Sequence, residues 1–374
     1  MSPAREPMRH GTALYAYAPS DMTKTSPIPP DEPLASWIVP VYNGARYLQL
    51  ALDSITRQTV TDFEAIVLDD GSTDGSLAIA QGVASTDRRF RIVEKANTGL
   101  IDTLNLGLSL ARAPLCLRLD ADDIARPERL QRQMAFMGQH PGCVAAGSRV
   151  TVIDEEGNVL RDTQGVKWQG PIAGGFPAGG MAICHPSVIY RTREVLTAGG
   201  YRPAYEAAED YELWMRLSRY GAIEEMPERL IFYRVHAESV SAQKVVQQRT
   251  SCFRSDVAMY ARRHGASPEQ LYRIEAGKTV DEILDAAEHS CPDLPDKRLM
   301  HLYFEANLLR RLLYRGSSSA GRSLATQLVA RLLQQIRFLH RGVHRKFVVI
   351  ALKELGRYWL VASVGRNRAR RHRA

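Results

Sequence analysis

The chain is poor in cysteine and lacks the cysteine patterns that would define its class. Five cysteines are scattered over 374 residues, their number is odd, and no two of them form a Cys-x-x-Cys pair. This pattern argues against a disulfide framework and against a structural zinc site. It favours a reducing, cytoplasmic environment.

Long uninterrupted hydrophobic runs are also missing. No stretch of about 18 uncharged apolar residues occurs, and the longest candidate, 347–364, contains Lys353, Glu354 and Arg357. A membrane-spanning helix is therefore not expected. Residues 1–34 are rich in Pro, Ser and Thr without an apolar core, so we predict a disordered leader there rather than a secretory signal.

Positive charge is concentrated at one end of the chain. The formal net charge is +8, but the segment from Arg337 onward carries eleven Lys/Arg and one acid, a charge of +10. The preceding 336 residues therefore carry about −2, and nucleic-acid binding is not expected of the protein as a whole. The basic segment 344–364 interleaves large apolar side chains, which favours either contact with an anionic membrane surface or a helix packed on the protein.

Between residues 35 and 143 short apolar runs alternate with helical patterns. The runs 35–41, 63–68, 89–94 and 115–119 are typical of strands, and helices are predicted over 45–59, from Leu100, and from Pro127. Strands that alternate with helices form parallel, doubly wound sheets. Ligands bind such sheets beyond the carboxyl ends of the strands, at the switch point in strand order.

Polar residues follow all four predicted strands. Any one of these segments (40–43, 69–74, 97–99 and 120–123) could be an ordinary polar turn, but their recurrence at one sheet edge favours a ligand site. The segment 120–123 places three carboxylates together, which suits Mg²⁺ or Mn²⁺, although an acidic turn that caps a helix is the alternative. Neither a GxGxxG nor a GxxxxGK[ST] motif is present, so phosphates would need a metal instead.

Past residue 143 the alternation weakens and isolated features remain. The Gly-rich segment 170–180 predicts a mobile loop, and His185 is interpreted as a structural residue at the start of an apolar run. Glu209 and Asp210 open a helix, where they either complement the helix dipole or include a general base. The strand 230–236 ends in Arg234 and His236, for which a phosphate contact and metal ligation both stay open.

Taken in order, these segments resemble the family-two glycosyltransferases of the GT-A fold over residues 35–241, about 55% of the chain. The resemblance implies an α/β GT-A nucleotide-diphospho-sugar transferase fold, with a Rossmann-like, mainly parallel sheet over 35–243. A helical C-terminal region with a basic tail follows over 244–374. The blocks that carry the resemblance are 40–43, 69–74, 97–100, 120–123, 185–187, 209–214 and 233–236.

The resemblance also implies the roles of particular residues. Asp210 matches the base that deprotonates the acceptor hydroxyl, with Glu209 beside it. Asp122 and His236 are expected to bind the Mn²⁺ or Mg²⁺ cofactor. The residues expected to bind the nucleotide-sugar are Pro40, Tyr42, Asn43, Asp70, Asn97 and Asp120.

The implied function is inverting transfer of a sugar from a nucleotide-diphosphate donor, with a UDP-sugar favoured, to a hydroxyl of a glycan or lipid-linked acceptor. Such a reaction belongs to cell-surface polysaccharide or glycoconjugate synthesis, at the inner face of the cell membrane or in the cytoplasm. Two alternatives stay open. A nucleotidyltransferase would carry a Gly-rich, basic phosphate loop, which residues 40–46 lack, and a non-catalytic sugar-nucleotide or glycan-binding protein would not need every acid.

Overall fold

The computed structural model describes residues 32–163, 183–236, 239, 243–288, 300–301, 304–305, 308–309 and 325–330. The predicted leader up to residue 31, the Gly-rich loop 170–180, the basic segment 344–364 and the terminal basic tail lie outside these residues.

The strands of the described residues form one mixed sheet in the order β3-β2-β1-β4-β8-β6-β9-β5, with β7 paired to β6. Helices flank the parallel part of this sheet and continue beyond it. The strands are β1 (Ser36–Val41), β2 (Glu64–Asp70), β3 (Phe90–Lys95), β4 (Leu115–Arg118), β5 (Ile124–Ala125), β6 (Cys143–Ile153), β7 (Val159–Asp162), β8 (Ile189–Arg191) and β9 (Ala222–Arg234). The helices are α1 (Ala45–Thr56), α2 (Ser76–Thr86), α3 (Leu100–Leu110), α4 (Arg129–Gln139), α5 (Thr192–Thr197), α6 (Glu209–Leu217), α7 (Val245–Arg263), α8 (Pro268–Ala276) and α9 (Val280–Glu288).

The first four strands are parallel and are covered by helices on both faces. Every residue of β1 is buried, as expected for a strand inside a parallel sheet, which reads as a continuous apolar run. Its Trp37 and Val39 pack in one core cluster with residues of α1. Ile38 packs in a second cluster with Leu104 and other residues of α3. The predicted α/β fold class is confirmed.

The second half of the sheet is mixed, and the sequence patterns missed part of it. β6 is an 11-residue strand that is almost wholly buried, and the sequence patterns predict no strand over these residues. Its Ala-Ala-Gly-Ser centre has low β-propensity, so its pairing with β8 and β9 determines its conformation. β9 begins at Ala222, eight residues before the predicted start.

Several predicted boundaries also shift. The helix predicted over 45–59 ends at Thr56, and α4 begins at Arg129, so Pro127 precedes the helix instead of opening it. Asp69 and Asp70 lie within β2 itself rather than after it. None of these shifts moves a candidate residue away from the edge of the sheet.

The switch point in strand order lies between β1 and β4. The described pairing of these strands ends at Ile38 and Arg118, with a last bond from the Leu119 N–H to the Ile38 carbonyl at 3.3 Å. Pro40 therefore occupies a position where its missing N–H breaks no bond to β4. The loops that follow β1 and β4 come close together. A Cβ atom added to Gly44 would lie only 3.3 Å from the Cβ atom of Ala121.

The described part of the C-terminal region is helical, as predicted. Phe253, Val257 and Ala261 of α7 form an apolar cluster with residues of α8 and α9. Within the described ranges, no helix combines the length and apolarity that crossing a membrane requires.

Candidate functional site

The acid loop, residues 120–123, follows β4 and brings three carboxylates together. Ligand atoms of Asp120, Asp122 and Asp123 lie within 4.8 Å of one another. Burial holds the pKa of Asp123 well above its usual range, and the charges of Asp122 and Asp120 raise this pKa further. One oxygen of Asp123 accepts a hydrogen bond from the Arg234 N–H at 2.8 Å, while the other is buried without a partner. Clustered oxygens with raised proton affinity are the donor set that a hard divalent cation fits.

The two predicted metal ligands lie side by side. Nε2 of His236 is 2.8 Å from Oδ2 of Asp122, and both side chains are mostly buried. The ring of His236 also packs against Tyr47 of α1, with 5.5 Å between the ring centres. Residues 114 positions apart in sequence thus meet at one point, where a carboxylate and an imidazole can share a cation.

Arg234 is bound to backbone carbonyls, and its contact with a phosphate stays a prediction. Its guanidinium donates to the carbonyls of Asp122, Asp154 and Glu155 at 2.9–3.0 Å, and the residue is only 3% exposed. It also lies 4.5 Å above the ring of Tyr47. These hydrogen bonds join the acid loop to the turn that links β6 and β7.

Arg118 is the main site residue that the sequence patterns missed. It lies in β4, two residues before the acid loop, and its Nη2 is 2.6 Å from Oδ1 of Asp120. Its Nε and Nη1 atoms are buried without a hydrogen-bond partner in the structure. A lone arginine inside an otherwise apolar strand was the available signal, because a fully buried guanidinium requires nearby negative charge.

The loops after β1 and β2 are tied together through Asn43. This residue has a positive φ of 50°, its side-chain oxygen accepts from the Thr73 N–H at 2.8 Å, and its own N–H donates to Ser72 Oγ at 3.0 Å. Asp74 accepts a hydrogen bond from the N–H of Ala45 at the start of α1. These bonds hold the exposed Tyr42 at the edge of the sheet.

Asp70 fixes the loop that follows β3. Its two oxygens accept from the N–H groups of Thr98 and Gly99 at 2.9 Å, and Lys95 donates to it as well. Asn97, predicted to contact the donor, is exposed in this loop. Both carboxylate oxygens of Asp70 thus have protein partners, and its contact with a nucleotide stays a prediction.

Glu209 and Asp210 occupy the first turn of α6 and are both buried. Burial, with the charge of Asp210 in addition, raises the pKa of Glu209 to about 7. Oε1 of Glu209 is 3.8 Å from Nδ1 of His185, whose Nε2 is 2.8 Å from the Tyr201 hydroxyl. His185 is thus a buried, partnered residue, in line with its structural interpretation.

The acid loop and the acid pair of α6 share an electrostatic environment. The charge of Asp120 contributes to the raised pKa of Glu209, and that of Arg118 opposes it. Burial and the charge of Arg118 together lower the pKa of His185 well below its usual range. The charges of Arg118 and Asp120 therefore both act on the pKa of Glu209.

Several known proteins are similar to this chain. Residues 36–198 match the model of glycosyl transferase family 2. A Haemophilus influenzae protein described as an uncharacterized glycosyltransferase is 32% identical over 221 residues, which cover 56% of this chain and 68% of that protein. Chondroitin synthase of Escherichia coli is 28% identical over 59% of this chain and 32% of its own length. The solved structure of the Pyrobaculum calidifontis mannosyltransferase PcManGT with GDP-Man and Mn²⁺ has a TM-score of 0.49 at 17% identity, covering 91% of this chain and 92% of that one.

Proposed function

Because the chain belongs to glycosyl transferase family 2, we propose that it transfers a sugar from a nucleoside-diphosphate donor to an acceptor hydroxyl with inversion at the anomeric carbon. A UDP-sugar is the donor and a glycan or lipid-linked molecule the acceptor in this proposal. The observations that carry it are the close carboxylate cluster of the acid loop and the buried acid pair Glu209–Asp210 in the first turn of α6.

The acid loop supplies the metal site of this proposal. Asp122 and His236 would hold Mn²⁺ or Mg²⁺, and Asp120 would be shared between the metal and the ribose. The cluster of oxygens within 4.8 Å and the unpartnered buried oxygen of Asp123 support this assignment. A bound divalent ion would neutralise charge on the departing nucleoside diphosphate.

The acid pair supplies the base. Asp210 takes the proton of the acceptor hydroxyl while the hydroxyl oxygen attacks the anomeric carbon, and the bond to the diphosphate oxygen breaks on the opposite face. Glu209 is the second carboxyl of the pair, and its raised pKa limits the repulsion between the two acids. The nucleotide would be bound at the sheet edge by Pro40, Tyr42, Asn43, Asp70 and Asn97.

A role in the synthesis of cell-surface polysaccharide or glycoconjugate completes the proposal, and the similarity to a chondroitin synthase supports it. The segment from Arg337 onward, with its charge of +10, would hold the enzyme at an anionic membrane surface. Partition of the full chain onto anionic vesicles, compared with neutral ones, tests this step. Equal partition onto both would exclude it.

A donor screen tests the function directly. The full chain is incubated with UDP-, GDP- and dTDP-sugars, with Mn²⁺ or Mg²⁺, and release of nucleoside diphosphate is measured with and without glycan acceptors. We expect release from at least one donor that depends on the divalent ion and increases with acceptor. Donor binding without release would instead establish a binding protein. Formation of a nucleoside triphosphate and a sugar 1-phosphate when pyrophosphate is added would establish a nucleotidyltransferase.

A further inference from the structure

Helix α6, which carries the acid pair, is buried along its whole length between two layers. One side, with Leu213 and Trp214, packs in the cluster that includes strands of the sheet. The other side, with Tyr211 and Met215, packs against Cys252 and Met259, which belong to α7. The N-cap residue of α6, Ala208, provides no side-chain cap. The orientation of its first turn therefore depends on its neighbours.

One buried hydrogen bond joins this turn to α7. The Tyr211 hydroxyl donates to Oδ1 of Asp256 at 2.6 Å, and the two residues are only 4% and 2% exposed. A hydrogen bond is electrostatically stronger away from water than in it. The Tyr211 N–H in turn lies 2.7 Å from Oδ1 of Asp210. Tyr211 thus contacts Asp256 through its hydroxyl and Asp210, the proposed base, through its backbone N–H.

The segment that leads into α6 is held from the same side. The Ser251 hydroxyl donates to the Glu206 carbonyl at 2.8 Å, and the Arg254 guanidinium donates to the Ala204 carbonyl. On α8, Glu275 accepts hydrogen bonds from Tyr205 at 3.0 Å and from Arg202 at 3.2 Å. Residues 202–211 are therefore bound to the C-terminal helices at several points.

We propose that α7 is a positioning element of the active site, with Asp256 acting through Tyr211 on Asp210. Asp256 is a positioning residue and not a catalytic one, because it would act through its hydrogen bond with Tyr211. The inference rests on the proposed function of Asp210 as the base. A reorientation of that carboxylate by a fraction of an ångström would slow transfer, since near-attack geometry is strict.

Three variants of the full chain test this inference. Tyr211→Phe removes only the hydroxyl, Asp256→Ala removes its acceptor, and Asp256→Asn keeps an acceptor oxygen at the same place. We expect the first two to lower kcat by about tenfold or more, with the Kd for nucleoside diphosphate unchanged, and Asp256→Asn to keep most of the activity. Tyr272→Phe, which alters an exposed tyrosine of α8, is the matched control and should leave kcat unchanged.

The outcomes separate this inference from the proposed function. If Tyr211→Phe and Asp256→Ala keep the full kcat while Asp210→Asn is inactive, the positioning role is overturned and the base assignment stays intact. Loss of nucleotide binding together with kcat, or a lower thermal midpoint with unchanged kcat, would also overturn it, because either shows a structural role alone. An active Asp210→Asn variant would instead reject the base assignment itself.

Discussion

Arg118 Nη2 lies 2.6 Å from Asp120 Oδ1, and this ion pair anchors the acid loop to the sheet. The arginine is 3% exposed and the aspartate 31% by side chain. Although burial opposes the charge of Arg118, the adjacent Asp120 outweighs it and raises the arginine pKa above its usual value. The buried cation thereby offsets part of the repulsion among the acids that follow β4.

The Arg118→Met variant should therefore be less stable. Removing one partner of a fully buried ion pair costs roughly 3–5 kcal/mol, and the partial exposure of Asp120 lowers our expectation to about 2 kcal/mol. Adding Asp120→Asn should recover part of the loss. Urea unfolding of the two single variants and the double variant measures the coupling. Strictly additive effects would show that the ion pair contributes nothing.

Glu209 should make the free energy of unfolding depend on pH. Burial and the neighbouring Asp210 raise its pKa from 4.5 to about 7 in the folded protein, so the folded state holds the proton more tightly. Its contribution is fully present below pH 4.5 and is lost as the pH rises through 7, a change of up to about 3 kcal/mol. Glu209→Gln should remove this part of the dependence between pH 5 and 8. The exposed-site variant Glu269→Gln should retain it, and equal slopes in the two variants would contradict the shift.

Asp122 and His236 should be needed for binding of the divalent ion. We expect Asp122→Asn and His236→Ala each to weaken Mn²⁺ binding at least about tenfold, because each removes a ligand. Titration calorimetry with Mn²⁺ alone gives the affinity without a need for turnover. Asp53→Asn, which alters a surface carboxylate of α1, serves as the control. Wild-type affinity in both ligand variants would place the ion elsewhere.

Gly71 should be essential for the contact between the loops after β2 and β3. Its φ is +71°, and a Cβ there would lie 2.9 Å from the Asn97 backbone nitrogen. Gly71→Ala should therefore destabilise the protein by about 1–3 kcal/mol. Gly82→Ala is the matched control, because Gly82 lies within α2 with nothing within 4 Å of the added carbon. It should be neutral or stabilising, and equal losses of the thermal midpoint would refute the argument.

Local periodicity was sufficient for the parallel half of the fold. The strands β1 and β2 are wholly buried, which is typical of strands inside a parallel sheet. The polar residues that follow the parallel strands lie at the edge of the sheet near the switch point. The GT-A fold and the family were implied by the resemblance that these motifs carry, and both are confirmed. The strand β6 was missed because non-local pairing, rather than local composition, determines it.

The parts of the site that depend on distant contacts could not be predicted. The contact between Asp122 and His236 spans 114 positions, and that between Tyr211 and Asp256 spans 45. Arg234 shows the same limit, because an arginine beside a predicted phosphate site proved to be bound by three backbone carbonyls. In these cases the residue type indicated which interactions a side chain could make. Only the folded structure showed which residue it contacts.

The rate of sugar transfer by Asp210→Asn, measured beside its affinity for nucleoside diphosphate, tests the central claim most directly. A general base contributes about 10²- to 10⁴-fold to the rate, so we predict a loss of kcat in that range with the Kd unchanged. Glu209→Gln in the same assay is the control for a change of charge in the buried acid pair. Its loss of kcat should be smaller than that of Asp210→Asn. Transfer by Asp210→Asn at close to the wild-type rate would contradict the account.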